Sequence, residues 1–408
     1  MAEPNLYSNS QPDMLDAGRS DDRTVSFERD DFDRDVWCLM GLPVDIADID
    51  RAVASIDRAV RDGARLSFVT PNVNFLVRAL RDQKARREII NADLSLVDGA
   101  PLVAMAKLLG VPVTSRVAGS DLFEVLRRRP GFSGRKLRVF FFGGRDGAAE
   151  AAANAVNKEK GGIEAAGFYN PGHGDVDSMS TDAIIERINE TSPDFVMVAL
   201  GAAKGQAWIE RNRDRLTAPI TAHLGAVVDF TAGGVARAPR WMQRTGLEWA
   251  WRIKEEPSLW KRYFLDARAL LMIAATRLAP QMTGRRKSGG TKPAAFIERT
   301  AGSVEIILSG DLTHGALRPV RDAFRTAAAE GRPVCLNFTK VLSFDRAFLG
   351  LVLMLEKNLA AKAAQISLKG LAKAQNRTFR ANNMIYSTGG DSDHGHAADM
   401  PPARQAAV

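Results

Sequence analysis

From Trp37 to about Ala236, short β-rich apolar runs alternate with stretches whose apolar positions recur at helical spacing. That alternation predicts a Rossmann-like α/β domain over 37–236, a mainly parallel sheet with helices on its faces. The best strand candidates are 66–69, 94–97, 137–142, 195–200 and 220–224. They run into the turns Thr70-Pro71-Asn72, Asp98-Gly99, Gly143-Gly144, Gly201-Ala202 and Gly225-Ala226. Ligands of open α/β sheets bind beyond the carboxyl ends of the strands, so these turns are expected to line one cleft.

Over 237–280 the pattern becomes helical, with Pro257 expected to separate two helices. Trp260, Phe264, Ala267, Leu271, Ala274 and Leu278 form an apolar stripe there. Residues 281–295, rich in glycine and basic side chains, read as a linker. A smaller α/β unit follows over 296–386, with strands at 304–308, 334–338 and 365–368 and helices near 317–329 and 348–362. The acidic stretch 1–36 and the polar stretch 387–408 read as disordered tails.

Charge sharpens this division. The first 35 residues carry ten acidic and four basic side chains without an apolar run, which does not suit a secretory signal. Residues 235–288 hold 12 Lys or Arg against 4 Asp or Glu, an excess equal to the net +8 of the whole chain. Four of the six tryptophans, Trp241, Trp249, Trp251 and Trp260, share that region. Tryptophan with clustered positive charge suits an anionic membrane surface, although the same rings could instead fill a core between helices. No run reaches the roughly 18 apolar residues of a membrane span. Two cysteines, Cys38 and Cys335, are too few for a disulfide framework or a cysteine zinc site and fit a reducing compartment.

The segments FVTPNVNFL (68–76), NADLSLVDGAPLV (91–103), RVAGSDL (116–122) and VFFFGG (139–144) carry a specific resemblance. It continues through FVMVALGAAKGQAWI (195–209), LGAVVDFTAGGVARAPRWMQ (224–243) and GLEWAWRIKEEPSLWKRY (246–263). Together these resemble the WecG/TagA/CpsF glycosyltransferases, glycosyltransferase family 26, over some 230 residues in the same order. The resemblance implies transfer of a sugar from a nucleotide donor, here a UDP-sugar, to a polyprenyl-diphosphate-linked saccharide during bacterial exopolysaccharide, capsule or wall polymer synthesis. An inverting single displacement on the cytoplasmic face of the plasma membrane is expected, with no cofactor and no nucleic-acid partner.

Asp98 follows an apolar strand and precedes Gly99, so its carboxylate can reach a ligand and take a proton from a hydroxyl. It could equally cap the helix starting at Ala100. The resemblance favours catalysis and implies that Asp98 is the general base. Thr70 and Asn72 can hydrogen-bond a sugar or phosphate, or else cap a helix that Pro71 opens. The resemblance implies that both orient substrate, with Thr70 part of the catalytic set. It also implies that Arg116 meets a diphosphate, which a guanidinium can fork, and brings Arg237, Arg240, Arg252 and Arg262 over the site.

Gly143 and Gly144, with Gly147 opening the next helix, offer a phosphate-binding turn, and Gly201 begins a similar one. GGRDG is not the dinucleotide fingerprint, which argues against a nicotinamide oxidoreductase. In GAAKGQAWI the family's usual form reads like GSPKQEKWI, so Gly205 replaces a glutamine and Gln206 a glutamate. Either Gln206 takes over the amide contact by a one-residue shift or that contact is lost. The pairs Asp48/Asp50 and Asp175/Asp177 have the spacing of a metal-holding Asp-x-Asp. Neither follows a convincing strand, and no metal is expected.

The unit at 296–386 resembles a STAS domain, the fold of anti-sigma-factor antagonists. Those usually carry Asp-Ser-Ser-Gly-Leu-Gly after the second strand, where this chain reads Asp345-Arg346-Ala347-Phe348-Leu349-Gly350. The phosphorylatable serine is absent, and what remains is a module able to self-associate or hold a protein partner. A second reading makes the whole chain a non-catalytic nucleotide or nucleotide-sugar sensor acting through this module.

Overall fold

The computed structural model describes residues 30–234, 237–239, 241–242, 246–282 and 289–388. Six strands form the main sheet: β3 (Leu66–Val69), β4 (Leu94–Ser95), β5 (Leu137–Gly143), β6 (Ile163–Tyr169), β7 (Phe195–Ala199) and β8 (Ile220–His223). Their order is β4-β3-β8-β7-β5-β6, and every neighbouring pair is parallel. Central strands such as β7 are buried at every position, as sheets covered on both faces require.

Helices cover both faces. α1 (Ile49–Asp62), α5 (Gly119–Arg128), α6 (Ala148–Lys158) and α9 (Gly225–Thr231) close one cluster of buried residues. α7 (Asp182–Glu190) and α8 (Ala202–Asn212) close another on the opposite face. α2 (Val73–Arg81), α3 (Gln83–Ile90) and α4 (Ala100–Leu109) contribute to a third. The five predicted strands form, and β6 is additional. Its sequence, IEAAGFY, sits at the sheet edge with only Ile163 buried, so it lacks an apolar run.

Before the sheet lies an antiparallel hairpin, β1 (Val36–Leu39) and β2 (Leu42–Asp45), that the strand pattern had not indicated. Residues 30–36, expected to lie in the acidic tail, are also built into the fold. Phe32 is buried, and Arg34 donates to Asp45 at 2.7 Å and to Asp31 at 2.7 Å.

The second unit is a five-stranded sheet of order β13-β12-β11-β10-β9. It comprises β9 (Ala294–Arg299), β10 (Val304–Leu312), β11 (Val334–Phe344), β12 (Ile366–Lys369) and β13 (Ser387–Thr388). Only β9 runs antiparallel to its neighbour. Two of its helices occupy the predicted places, Arg318–Glu330 and Arg346–Ala360, and a third spans Lys373–Ala381. β9 begins inside the stretch read as linker.

The two units are not separately packed. Residues of the hairpin, of α2 to α4 and of the second sheet belong to one continuous hydrophobic cluster. The helix Arg346–Ala360 lies so close to β1 that a Cβ on Gly350 would stand 2.1 Å from the carbonyl oxygen of Val36. Buried charge reinforces this seam: Arg86 donates to both oxygens of Glu356, at 2.5 and 3.0 Å, and Lys357 reaches Asp93 at 2.9 Å. Arg346 donates to the Leu109 carbonyl at 3.2 Å and to Gln281 at 2.8 Å. The start of this helix is thus tied to the first domain.

Candidate active site

The carboxyl ends of β3 and β4 are tied together past their regular pairing. The Leu96 amide donates to Val69 and the Asp98 amide to Pro71, both at 2.9 Å, while the Val117 amide donates to Val97. These bonds put the turns carrying Thr70, Asp98 and Arg116 side by side. Gly99, not Asp98, is the cap residue of α4, and no side chain caps that helix, so the Asp98 carboxylate is not consumed there. Burial pushes its pKa from the ordinary aspartate value up to about 7 against the pull of Arg116, with Glu248 and Asp121 adding to the rise. A carboxyl group poised near neutrality beside a cation is suited to accept a proton.

Thr70 lies against the start of α5, its hydroxyl 3.3 Å from where a Cβ on Gly119 would stand. Asn72 does what the alternative reading gave it. Its carboxamide oxygen accepts from the amides of Asn74 at 3.0 Å and Phe75 at 3.3 Å and caps α2. Pro71 therefore precedes the cap and does not open the helix.

Arg116 is held at both ends. It donates to Glu248 at 2.8 Å and to Asp121 at 3.0 Å. Arg237 meets the other oxygen of Asp121 at 2.5 Å and Ser120 at 3.3 Å. Glu248 opens the helix α10 (Glu248–Glu255), so this network fastens the basic region over the turns of β4 and α5. Arg252, one turn on, stands 5.6 Å from the Phe230 ring and lends positive field to Asp98. Arg262 is apart from this group, over Tyr263 and near Asp266, which approaches Asn74 of α2. Arg240 lies outside the described residues.

The glycine turns are shaped mainly by crowding. Gly143 has φ 89° and a Cβ on it would strike Leu200 and the Ala199 carbonyl, at 2.7 and 2.9 Å. The Gly144 amide donates to Ala199 at 2.7 Å, so it is engaged in the sheet rather than free for phosphate. Gly201, at the start of α8, has φ 77° and open space where its Cβ would lie. Gln206 is buried and turned away, its amide donating to the Glu88 carbonyl of α3 at 3.3 Å. Its amide is thus spent on α3.

Asp48 caps α1, Asp175 accepts from the Ser178 amide, and Asp177 pairs with Arg211. Among the described residues no group of three or more His, Cys, Asp or Glu is placed to hold a metal ion.

Sequence reasoning passed over His223, the last residue of β8. Its register partner is Val198 on β7, so it sits at the carboxyl edge between the Thr70 and Gly201 turns. A histidine ending a strand that feeds a glycine turn was the available signal. Burial holds its pKa down at about 4, with Arg78 adding to the depression.

In α10 and in α11 (Trp260–Ile273), which continues through a π turn at Ala274–Leu278, many apolar side chains face outward. Trp260 is 52% exposed, Phe264 62% and Leu271 72%, while Ala269, Ile273 and Leu278 face the protein. Trp241 and Trp249 are also exposed, so those rings do not fill a core. No helix among the described residues is long and apolar enough to cross a membrane.

Comparison with known proteins agrees with this architecture. The model of the glycosyl transferase WecG/TagA/CpsF family matches residues 37–283, and that of the Mlab STAS domain matches residues 295–384. An N-acetylglucosaminyldiphosphoundecaprenol N-acetyl-beta-D-mannosaminyltransferase of Bacillus spizizenii is 30% identical over 228 residues, 55% of this chain and 85% of that protein. Its namesake from Bacillus subtilis is 30% identical over 200 residues, 49% of this chain and 75% of that protein. Among solved structures, the anti-sigma factor antagonist SpoIIAA is 29% identical over 21% of this chain and 82% of its own, with a TM-score of 0.20. With the family model spanning the whole α/β domain and its basic helical extension, the chain belongs to the WecG/TagA/CpsF family of glycosyltransferases.

Proposed function

We propose that this protein transfers a sugar from a UDP-sugar to a polyprenyl-diphosphate-linked saccharide at a membrane surface, by single displacement with inversion. The observation that carries the reading is Asp98, a buried carboxyl group at the carboxyl edge of the sheet that caps no helix and lies within the field of Arg116 and Arg252. The acceptor hydroxyl gives its proton to Asp98 and attacks the anomeric carbon, and the sugar–phosphate bond breaks to release UDP. Thr70 and the amide of Asn72 orient the sugars. Arg116, Arg237 and Arg252 are the local cations for the departing diphosphate, which fixed positive groups stabilise as charge develops. Arg116 and Arg237 then exchange carboxylate partners for phosphate oxygens, and Arg240 and Arg262 join them from the basic extension. The open space at the Gly201 turn leaves room for the donor.

Both Bacillus relatives are named for an undecaprenyl-diphosphate-linked acceptor, which supports a wall-polymer or related polysaccharide role. The outward Trp241, Trp249, Trp260, Phe264 and Leu271 support docking on an anionic leaflet, because such an acceptor keeps its lipid tail in the bilayer. On this reading residues 37–236 carry the chemistry, 237–280 the membrane contact, and 296–386 a brace on the first domain.

The test is UDP release from a panel of UDP-sugars with a short polyprenyl-diphosphate-sugar acceptor. Acceptor-dependent release is expected from the native protein, with a fall of at least about 100-fold in Asp98→Asn, the scale of a lost general base. Release unaffected by that substitution would remove Asp98 from the mechanism.

A further inference from the structure

The first turn of α8 lacks the polar side chain that the resemblance leads one to expect there, and the space is not empty. A Cβ built on Gly205 would stand 2.1 Å from Cδ2 of His223 and 3.0 Å from its Nε2. Residue 205 and the imidazole therefore compete for one volume, and only glycine at 205 lets the ring lie where it does. Gly225, at the start of α9, makes the second clearance, with its Cβ position 3.3 Å from Nε2. The ring is thus wedged between the starts of α8 and α9, at the level of the sheet edge from which the Thr70 and Gly201 turns leave. Of the polar side chains at this end of α8, Lys204 donates to the Gly174 carbonyl at 2.7 Å and Gln206 points to α3, so neither reaches the ring.

Nε2 of His223 is buried and has no hydrogen-bond partner. A buried nitrogen without a partner leaves hydrogen-bonding potential unused, which a ligand group can recover. We propose that His223 is a specificity-determining residue of the donor site, its Nε2 hydrogen-bonding a neutral polar group of the nucleotide sugar. The inference rests on the UDP-sugar reading given above. The group it meets is uncharged, a ring heteroatom of the base or a hydroxyl or amide of the sugar. A ring that stays neutral at physiological pH is no counter-ion for the diphosphate.

The experiment measures binding of UDP, UDP-glucose and UDP-N-acetylmannosamine to the full chain by calorimetry, for the native protein, His223→Ala and His223→Gln. Alanine is expected to weaken binding at least tenfold, and glutamine, which restores a hydrogen-bonding group, to stay within about threefold of native, the range one hydrogen bond spans. Weakening that includes UDP assigns the contact to the nucleoside, and weakening confined to the UDP-sugars assigns it to the sugar. Should the alanine variant fail to fold, the ¹⁵N shift of the native His223 Nε2 on titration with the same ligands gives the answer, a shift being expected. Tight native binding with a folded His223→Ala within twofold of it, or an unmoved Nε2 resonance at saturation, overturns the inference alone. No binding of any of the three by the native protein overturns the donor reading and the inference with it.

Discussion

Asp98 keeps its proton to about pH 7 because burial penalises the carboxylate more than Arg116 and Arg252 favour it. For a general base this sets the acid limb of activity: kcat/KM is expected to fall tenfold per pH unit below about 7, and a pH–rate profile reads it directly. The same shift has a stability consequence. A carboxyl group whose pKa is higher in the folded than in the unfolded state binds protons more tightly when folded, so its contribution is favourable below the unfolded value and is lost as pH rises through 7. Asp98→Asn should therefore melt higher than the native protein at pH 8, by roughly 2 kcal/mol of added stability, and with little difference below pH 4. Equal melting at pH 8 would mean that the carboxylate is better solvated than its surroundings indicate. His223 escaped the sequence reading for a physical reason: its orphaned nitrogen exists only because Gly205, 18 positions earlier, leaves room for the ring.

At the scale of elements, the charge-rich stretch after β8 does two separable things. Its inward side, through Glu248 and Arg237, pairs with Arg116 and Asp121. Removing the carboxylate with Glu248→Gln should leave Arg116 paired with Asp121 alone and lower the pKa of Asp98, shifting the acid limb of the pH profile downward. An unmoved limb would show that Glu248 does not act on Asp98. Its outward side presents tryptophan, phenylalanine and leucine to solvent. Joint replacement of Trp241, Trp249 and Trp260 by alanine is expected to weaken binding to anionic liposomes at least tenfold in a flotation or sedimentation assay. Charge reversal at Arg240, Arg252 and Arg262 should release the protein too; retention by both variants would sink the membrane reading. The apolar period over Trp260–Leu278 was legible from sequence, but not which face it served. Its first members, Trp260, Phe264 and Leu271, face outward, and the protein-facing side is Ala269, Ile273 and the stripe's last member, Leu278.

Across the whole molecule, the seam between the two units is the feature with the widest consequences. Hairpin β1–β2 presses on the helix Arg346–Ala360, and the Arg86–Glu356 and Lys357–Asp93 pairs lie in the same seam. A side chain at Gly350 cannot be accommodated beside the Val36 carbonyl. Gly350→Val is thus expected to destabilise by about 3 kcal/mol, an overpacking effect. It should lower the unfolding transition of both units together in calorimetry, because they share a core. Two independent transitions, with only the later one shifted, would contradict that coupling.

Much was fixed locally. Apolar runs ending in polar turns specified the five predicted strands and the edge where they converge, since a strand buried on both faces must be apolar throughout. The motif segments likewise marked Asp98, Thr70 and Arg116 as neighbours, and backbone bonds between their turns make them so. Tertiary structure alone decided the rest. It made Asn72 a helix cap, turned Gln206 toward α3, set carboxylates on Arg116, left His223 with an unspent nitrogen, and folded residues 30–36 and the hairpin into a core shared with the second unit. Each of these depends on groups far apart in the chain meeting at van der Waals or hydrogen-bond range, where local pattern carries no information.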